Sequence, residues 1–174
     1  MIGRTGPRAV QVTGVQVTLT DECEEEVDGS RWAALLAAVL AAEGVAAGAE
    51  AGLTFVSPSA MAELNQVHMG GTGPTDVLAF PIDGLSADGA GGSTPPGVVG
   101  DVVICPVVAW AGSAGHAGSD DDELALLVVH GALHLLGHDH DEDGERATMQ
   151  GRERALLAAH HGVLAGDPWE GAAS

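Results

Sequence analysis

His130-Gly131-Ala132-Leu133-His134-Leu135-Leu136-Gly137-His138-Asp139-His140 packs four of the eight histidines of a 174-residue chain into eleven positions. Three of them, His130, His134 and His140, follow the spacing H-x3-H-x5-H. Residues four apart on a helix share a face, one turn above the other, so His130 and His134 can aim two imidazoles at one point. Gly137 comes next, and glycine readily takes the left-handed conformation that ends helices. A turn there can carry His140 back to the same point. Three imidazoles with a fourth position left to water form the ligand pattern of catalytic zinc sites, whereas structural zinc sites are closed. The run Glu123 to Val129 is apolar on nearly every face, as a buried helix is. Unpaired polar groups are costly to bury, and a metal gives both imidazoles a partner.

The spacing matches the long zinc-protease motif H-E-x-x-H-x-x-G-x-x-H, with His130, His134, Gly137 and His140 in register. Position 131 departs from it. The protease has its general-base glutamate there, and this chain has Gly131. The ligand set without that base points to hydrolysis other than proteolysis. The stretch resembles H-G-x-L-H-L-x-G-[YH]-D-H, the signature of the YbeY family of bacterial metal-dependent endoribonucleases and ribosomal-RNA maturation factors. Two more segments are similar to that family's and occur in its order. Pro74-Thr75-Asp76-Val77-Leu78-Ala79-Phe80-Pro81 is similar to P-T-D-V-L-S-F-P, and Gly100-Asp101-Val102-Val103-Ile104 to G-D-I-x-I. The resemblance covers roughly residues 13–160.

The resemblance implies a zinc-dependent, single-strand-specific endoribonuclease. Its roles would be late-stage 70S ribosome quality control and maturation of the 3' end of 16S rRNA. One Zn2+ per chain would sit on His130, His134 and His140. Asp76 and Asp101 are candidates to orient the imidazoles. Asp139 and His138 are candidates for that role or for acid–base work beside a zinc-bound water. Met149 and Glu153 stand where the family usually has methionine and glutamate, with Met149 packing under the site. The implied partners are single-stranded RNA, small-subunit ribosomal RNA and the ribosome, and not DNA. The family generally carries an arginine in a pattern like L-N-x-x-[YF]-R. Here Leu64-Asn65-Gln66-Val67-His68-Met69 puts methionine at that position. Arg31, Arg146, Arg152 or the nearby His68 would have to replace it. The alternative is a non-catalytic ribosome-assembly factor with a structural zinc.

The charge balance favours that alternative. The chain has no lysine, and six arginines face twenty-five acids, for a net charge of −19. Such a charge repels polyanions. Phosphate contacts, usually made by Lys and Arg, then fall to a bound metal and a few arginines. Cys23 and Cys105 lack C-x-x-C spacing and are too few for a disulfide framework; both read as reduced thiols. The first residues lack the apolar core of a signal peptide, and no run is long enough to span a membrane. The chain therefore reads as cytoplasmic, without a membrane partner.

At this length one domain is the default. Residues 1–11 read as a flexible N-terminal extension, 12–161 as the hydrolase domain and 162–174 as a disordered tail. Strands are expected over 12–20, 50–56, 75–82 (apolar enough to be central) and 98–105. Helices are expected over 31–43, 60–68, 120–136 and 145–161. The Gly/Ser/Pro-rich stretch 83–97 reads as a flexible flap, and His160 and His161 as solvated. The fold class is α+β: a single zincin-like domain whose mixed sheet of about four strands packs against helices.

Overall fold

Val15, Val17 and Leu19 are buried and alternate with Gln16 and Thr18, the period a half-buried strand requires. They form β2 (Val15–Asp21) in a computed structural model that describes residues 6–82 and 97–170. Before it, β1 (Arg8–Val12) runs antiparallel to β2. The two are joined by Thr13 and Gly14, both at positive φ, as a two-residue hairpin turn demands. The expected extension over residues 1–11 is corrected here: residues 8–11 belong to the sheet. The Thr13-Gly14 turn lies inside the stretch 12–20 that reads as one strand.

The sheet therefore has five strands rather than about four, in the order β1-β2-β3-β5-β4, with β3 (Glu50–Phe55), β4 (Val77–Pro81) and β5 (Val98–Ile104). β2, β3 and β5 are parallel neighbours, and β4 closes one edge antiparallel to β5. β4 is thus an edge strand and not a central one. Its apolar sequence has another cause: both of its faces are covered. Helix α4 packs on one, and Leu78 joins Val56, Met61, Val103 and Cys105 on the other. Residues 83–96 of the expected flap lie outside the described residues.

Five α-helices complete the described residues. Asp28 caps α1 (Gly29–Ala42), which buries Trp32, Leu36 and Leu40. Ser57 caps α2 (Pro58–Met69), whose one buried residue, Met61, lies in the cluster with Leu78. α3 (Pro106–Gly112) follows β5. Ser119 caps α4 (Asp120–Leu135), and four acids in its first turn suit the helix dipole. α4 packs against β4, β5, α1 and α5 (Asp143–His160), and Leu124 to Val129 are all buried. Gly131 explains how α4 comes so near the sheet: a Cβ there would lie 2.8 Å from a Val102 methyl on β5.

After α5 the chain stays attached. Asp122 at the start of α4 accepts from His161 Nε2 at 2.7 Å and from the Ala165 N–H at 2.9 Å. The Gly166 N–H reaches the Ala117 carbonyl at 2.7 Å. Leu164 and Trp169 pack on the core. Two expectations are corrected by these contacts: residues 162–170 are pinned to the domain, and His161 is a half-buried partner of Asp122. Burial opposes ionisation of Asp122, but the bonds from His161 and Ala165 outweigh it and hold its carboxyl below the usual range. Gly/Ala-rich composition hides such contacts, because the Ala165 and Gly166 bonds are made by backbone groups.

Two glycines give opposite expectations. Gly100 on β5 has φ +146°, and a Cβ there would collide with the Phe80 carbonyl and with Leu135. Gly100→Ala should cost about 3 kcal/mol, a fall of about 6–12 °C in Tm for a chain of this size. Gly151, exposed on α5 with open space around it, should gain about 0.5–1 kcal/mol when changed to Ala. Thermal unfolding of the two variants checks both signs.

Candidate metal centre

α4 presents His130 and His134 one turn apart, as their spacing requires. The helix ends at Leu135, where the Gly137 N–H bonds the His134 carbonyl and the His138 N–H bonds the Leu133 carbonyl. Gly137 has φ +92°. This is the left-handed helix end that glycine favours, and it brings His140 back beside the other two. Ring centroids lie 4.5, 5.6 and 5.2 Å apart for the pairs 130–134, 130–140 and 134–140. One nitrogen from each ring falls within 4.8 Å of the others.

The nitrogens fit a metal ion chemically. Glu153 of α5 is buried, and its Oε1 lies 2.6 Å from His130 Nδ1. An ionised carboxylate only accepts, so Nδ1 carries the hydrogen and Nε2 is left with a lone pair. That Nε2 faces His134 Nε2 at 3.0 Å. A shared cation satisfies both. Burial, then the neighbouring His130 and His140, pushes the His134 pKa below its ordinary 6.5, which favours the neutral imidazole that metals bind.

Two clefts meet at these rings. One, of about 330 Å³, has Leu126, Leu127, Met149 and Trp169 among its walls and His116 and Arg146 among its polar groups. The other, of about 350 Å³, is lined by Met69, Ala79, Pro81 and His134. His130, His140, Asp76 and Val77 border both. Asp76 is fixed by its own backbone, with Oδ1 accepting from the Val77 N–H at 2.8 Å.

The remaining candidates separate by position. Asp139 is exposed and accepts from the His140 N–H at 2.7 Å, a bond that lowers its carboxyl below the usual range. His138 lines neither cleft. Asp101 is corrected as an orienting residue. Side chains alternate across a strand; Val102 lies under Gly131 of α4, so Asp101 projects from the opposite face, where a methyl group on Gly52 would strike its carboxylate. Its motif G-D-V-V-I does not say which face the acid takes.

Met69 sits in the second cleft, more than half exposed, beside the histidines. Of the four possible replacements for the missing arginine, Arg31 pairs with Asp121 at 2.6 Å, Arg152 pairs with Glu43, and His68 packs edge-on against Phe80. Arg146 borders the first cleft, and its Nε donates to the His140 carbonyl at 3.3 Å. Two functional contacts escape sequence reasoning. Glu153 was visible as a family position but not as the partner of His130, and nothing marked Trp169, whose Nε1–H donates to Glu153 Oε2 at 2.8 Å.

A family model described as endoribonuclease YbeY matches residues 17–161. The chain belongs to the YbeY family. Relatives named endoribonuclease YbeY include one from Salinispora tropica, 43% identical over 152 residues, covering 83% of this chain and 96% of the relative. Another, from Beutenbergia cavernae, is 44% identical and covers 80% of this chain and 93% of the relative. The solution structure of TM1509 from Thermotoga maritima superposes with a TM-score of 0.50 at 24% identity, over 82% of this chain and 90% of that one, and shows the fold alone. Among the described residues no helix is long and apolar enough to cross a membrane.

The depressed His134 pKa has a pH consequence in metal-free protein. The unfolded chain takes up this proton near 6.5 and the folded one only lower. Stability carried by neutral His134 is therefore complete above that value and lost as pH falls below it. Going from about pH 7.5 to about pH 5.5, either side of the ordinary imidazole value, chelator-treated wild type should lose more Tm than chelator-treated His134→Gln.

Proposed function

We propose that this chain is a zinc-dependent endoribonuclease acting on single-stranded RNA in the cytoplasm. Its substrate is small-subunit ribosomal RNA, in maturation of the 3' end of 16S rRNA and late-stage 70S ribosome quality control. The reading rests on one observation: three imidazole nitrogens converge within 4.8 Å where two clefts meet. Membership of a family whose members are named endoribonucleases supports the reaction class.

His130, His134 and His140 would hold the zinc ion. The Lewis-acid chemistry that hydrolysis of a phosphodiester needs would come from the ion held by these three imidazoles. Glu153 fixes the His130 tautomer. Asp76, which borders both clefts, orients the imidazoles. Neither acid–base candidate lines a cleft; Asp139 is favoured because its Oδ1 accepts from the His140 N–H. Arg146 takes the phosphate-holding role that Met69 cannot.

Met69 and the net charge of −19 favour a second reading, a ribosome-assembly factor whose zinc is structural. Labelled single-stranded RNA separates the two. The enzyme reading expects chelator-sensitive cleavage. His134→Ala should lower it about 100-fold or more while the protein stays folded, and Arg146→Ala should lower it about 10-fold. Stoichiometric zinc with no cleavage above the His134→Ala control would instead establish the assembly factor.

A further inference from the structure

The family match ends at residue 161, and Trp169 lies beyond it. Its indole Nε1–H donates to Glu153 Oε2 at 2.8 Å, while Glu153 Oε1 takes His130 Nδ1 at 2.6 Å. One buried carboxylate is therefore gripped by two donors, one from the ligand helix and one from the C-terminal segment. Trp169 has its own supports. Its N–H donates to Asp167 Oδ1 at 3.1 Å, and the Arg154 guanidinium lies over its ring, 4.6 Å from the centroid. Behind it, Gly166 lies so close to the 116–118 loop that a Cβ on Gly166 would strike the His116 carbonyl. Asp122 accepts from His161 and Ala165. The segment is tied at both ends and delivers one indole N–H to one carboxylate oxygen.

We propose that Trp169 is a positioning residue of the metal centre, acting through Glu153 to set the orientation of His130. A carboxylate with a single donor can rotate about its last bond, and His130 can follow it. With Oε2 held by Trp169, Oε1 is fixed toward Nδ1, and Nε2 is aimed at His134. Groups that orient ligands from outside typically govern metal affinity by about 10- to 100-fold when they contact the ligand directly. One bond further out, the expected effect is about 5-fold. The coupling is reciprocal: an ion that orders His130 also tightens the C-terminal segment.

This inference rests on the three-histidine metal reading, and zinc binding tests both separately. Zinc affinity is measured by competition with a chromophoric chelator, in wild type, Trp169→Phe, Glu153→Ala and the double variant. Phe keeps most of the ring and removes the donor. Trp110→Phe is the control, since the Trp110 indole has no hydrogen-bond partner among the described residues. The proposal expects Trp169→Phe to weaken zinc by about 5-fold, Trp110→Phe to leave it unchanged, and Trp169→Phe to add nothing once Glu153 is Ala. Equal zinc affinity in wild type and Trp169→Phe would overturn the positioning role, as would the same loss in both Glu153 backgrounds. Failure of wild type to bind zinc would instead sink the metal reading and the inference with it. The unmutated protein offers a second measurement that does not depend on any variant folding. The Trp169 indole N–H resonance should shift in step with zinc added up to one equivalent, and an unmoved resonance would also overturn the proposal.

Discussion

Two imidazoles one turn apart on a buried helix constrain everything around them. α4 runs through the middle of the core and can carry His130 and His134 only if each finds a polar partner. Glu153 from α5 serves His130 Nδ1, and the two Nε2 atoms face each other across 3.0 Å. That arrangement sets the rest of the site. α4 must stop after His134 so that Gly137 can return His140. It must also lie close enough to β5 to leave room for a glycine and nothing larger at position 131. The residue that costs the chain the protease's base is thus the one that seats the ligand helix on the sheet.

The convergence of the three histidines was legible because it is local. Helical periodicity and one glycine place all three rings within eleven residues, and no long-range fact is needed. The α+β class and most element positions were legible for the same reason, since alternation in β2 and a capped, acidic first turn in α4 are written in neighbouring residues. What was not legible depends on partners far along the chain. The Thr13-Gly14 turn looks like strand interior until β1 is paired with β2. β4 reads as central because apolar cover on both faces looks the same from sequence whether or not a strand lies beyond it. Asp101 and Asp76 both precede apolar runs, yet the pleat sends Asp101 away from α4, while Asp76, just before β4, borders the histidine clefts.

The acidity of the chain gains a location from the structure. Arg31, Arg152 and Arg154 are paired with acids and support the scaffold. Arg146, although it also meets Asp143, is among the described residues the one arginine lining the clefts at the histidines. An account in which long-range charge draws in the substrate has little to work with at a net charge of −19. The proposed function therefore relies on short-range contacts: a metal ion on the histidines, the Arg146 guanidinium, and cleft walls of leucine, methionine and tryptophan.

On the proposed function, His130, His134 and His140 together bind one zinc ion with a position left open. X-ray absorption at the zinc edge, on protein purified without added metal, tests it most directly. The account predicts one zinc per chain in a shell of nitrogen and oxygen at about 2.0–2.1 Å, with the outer-shell scattering of three imidazoles. A sulfur contribution at about 2.3 Å would place the metal on Cys23 or Cys105 and contradict the account, as would protein that retains no zinc.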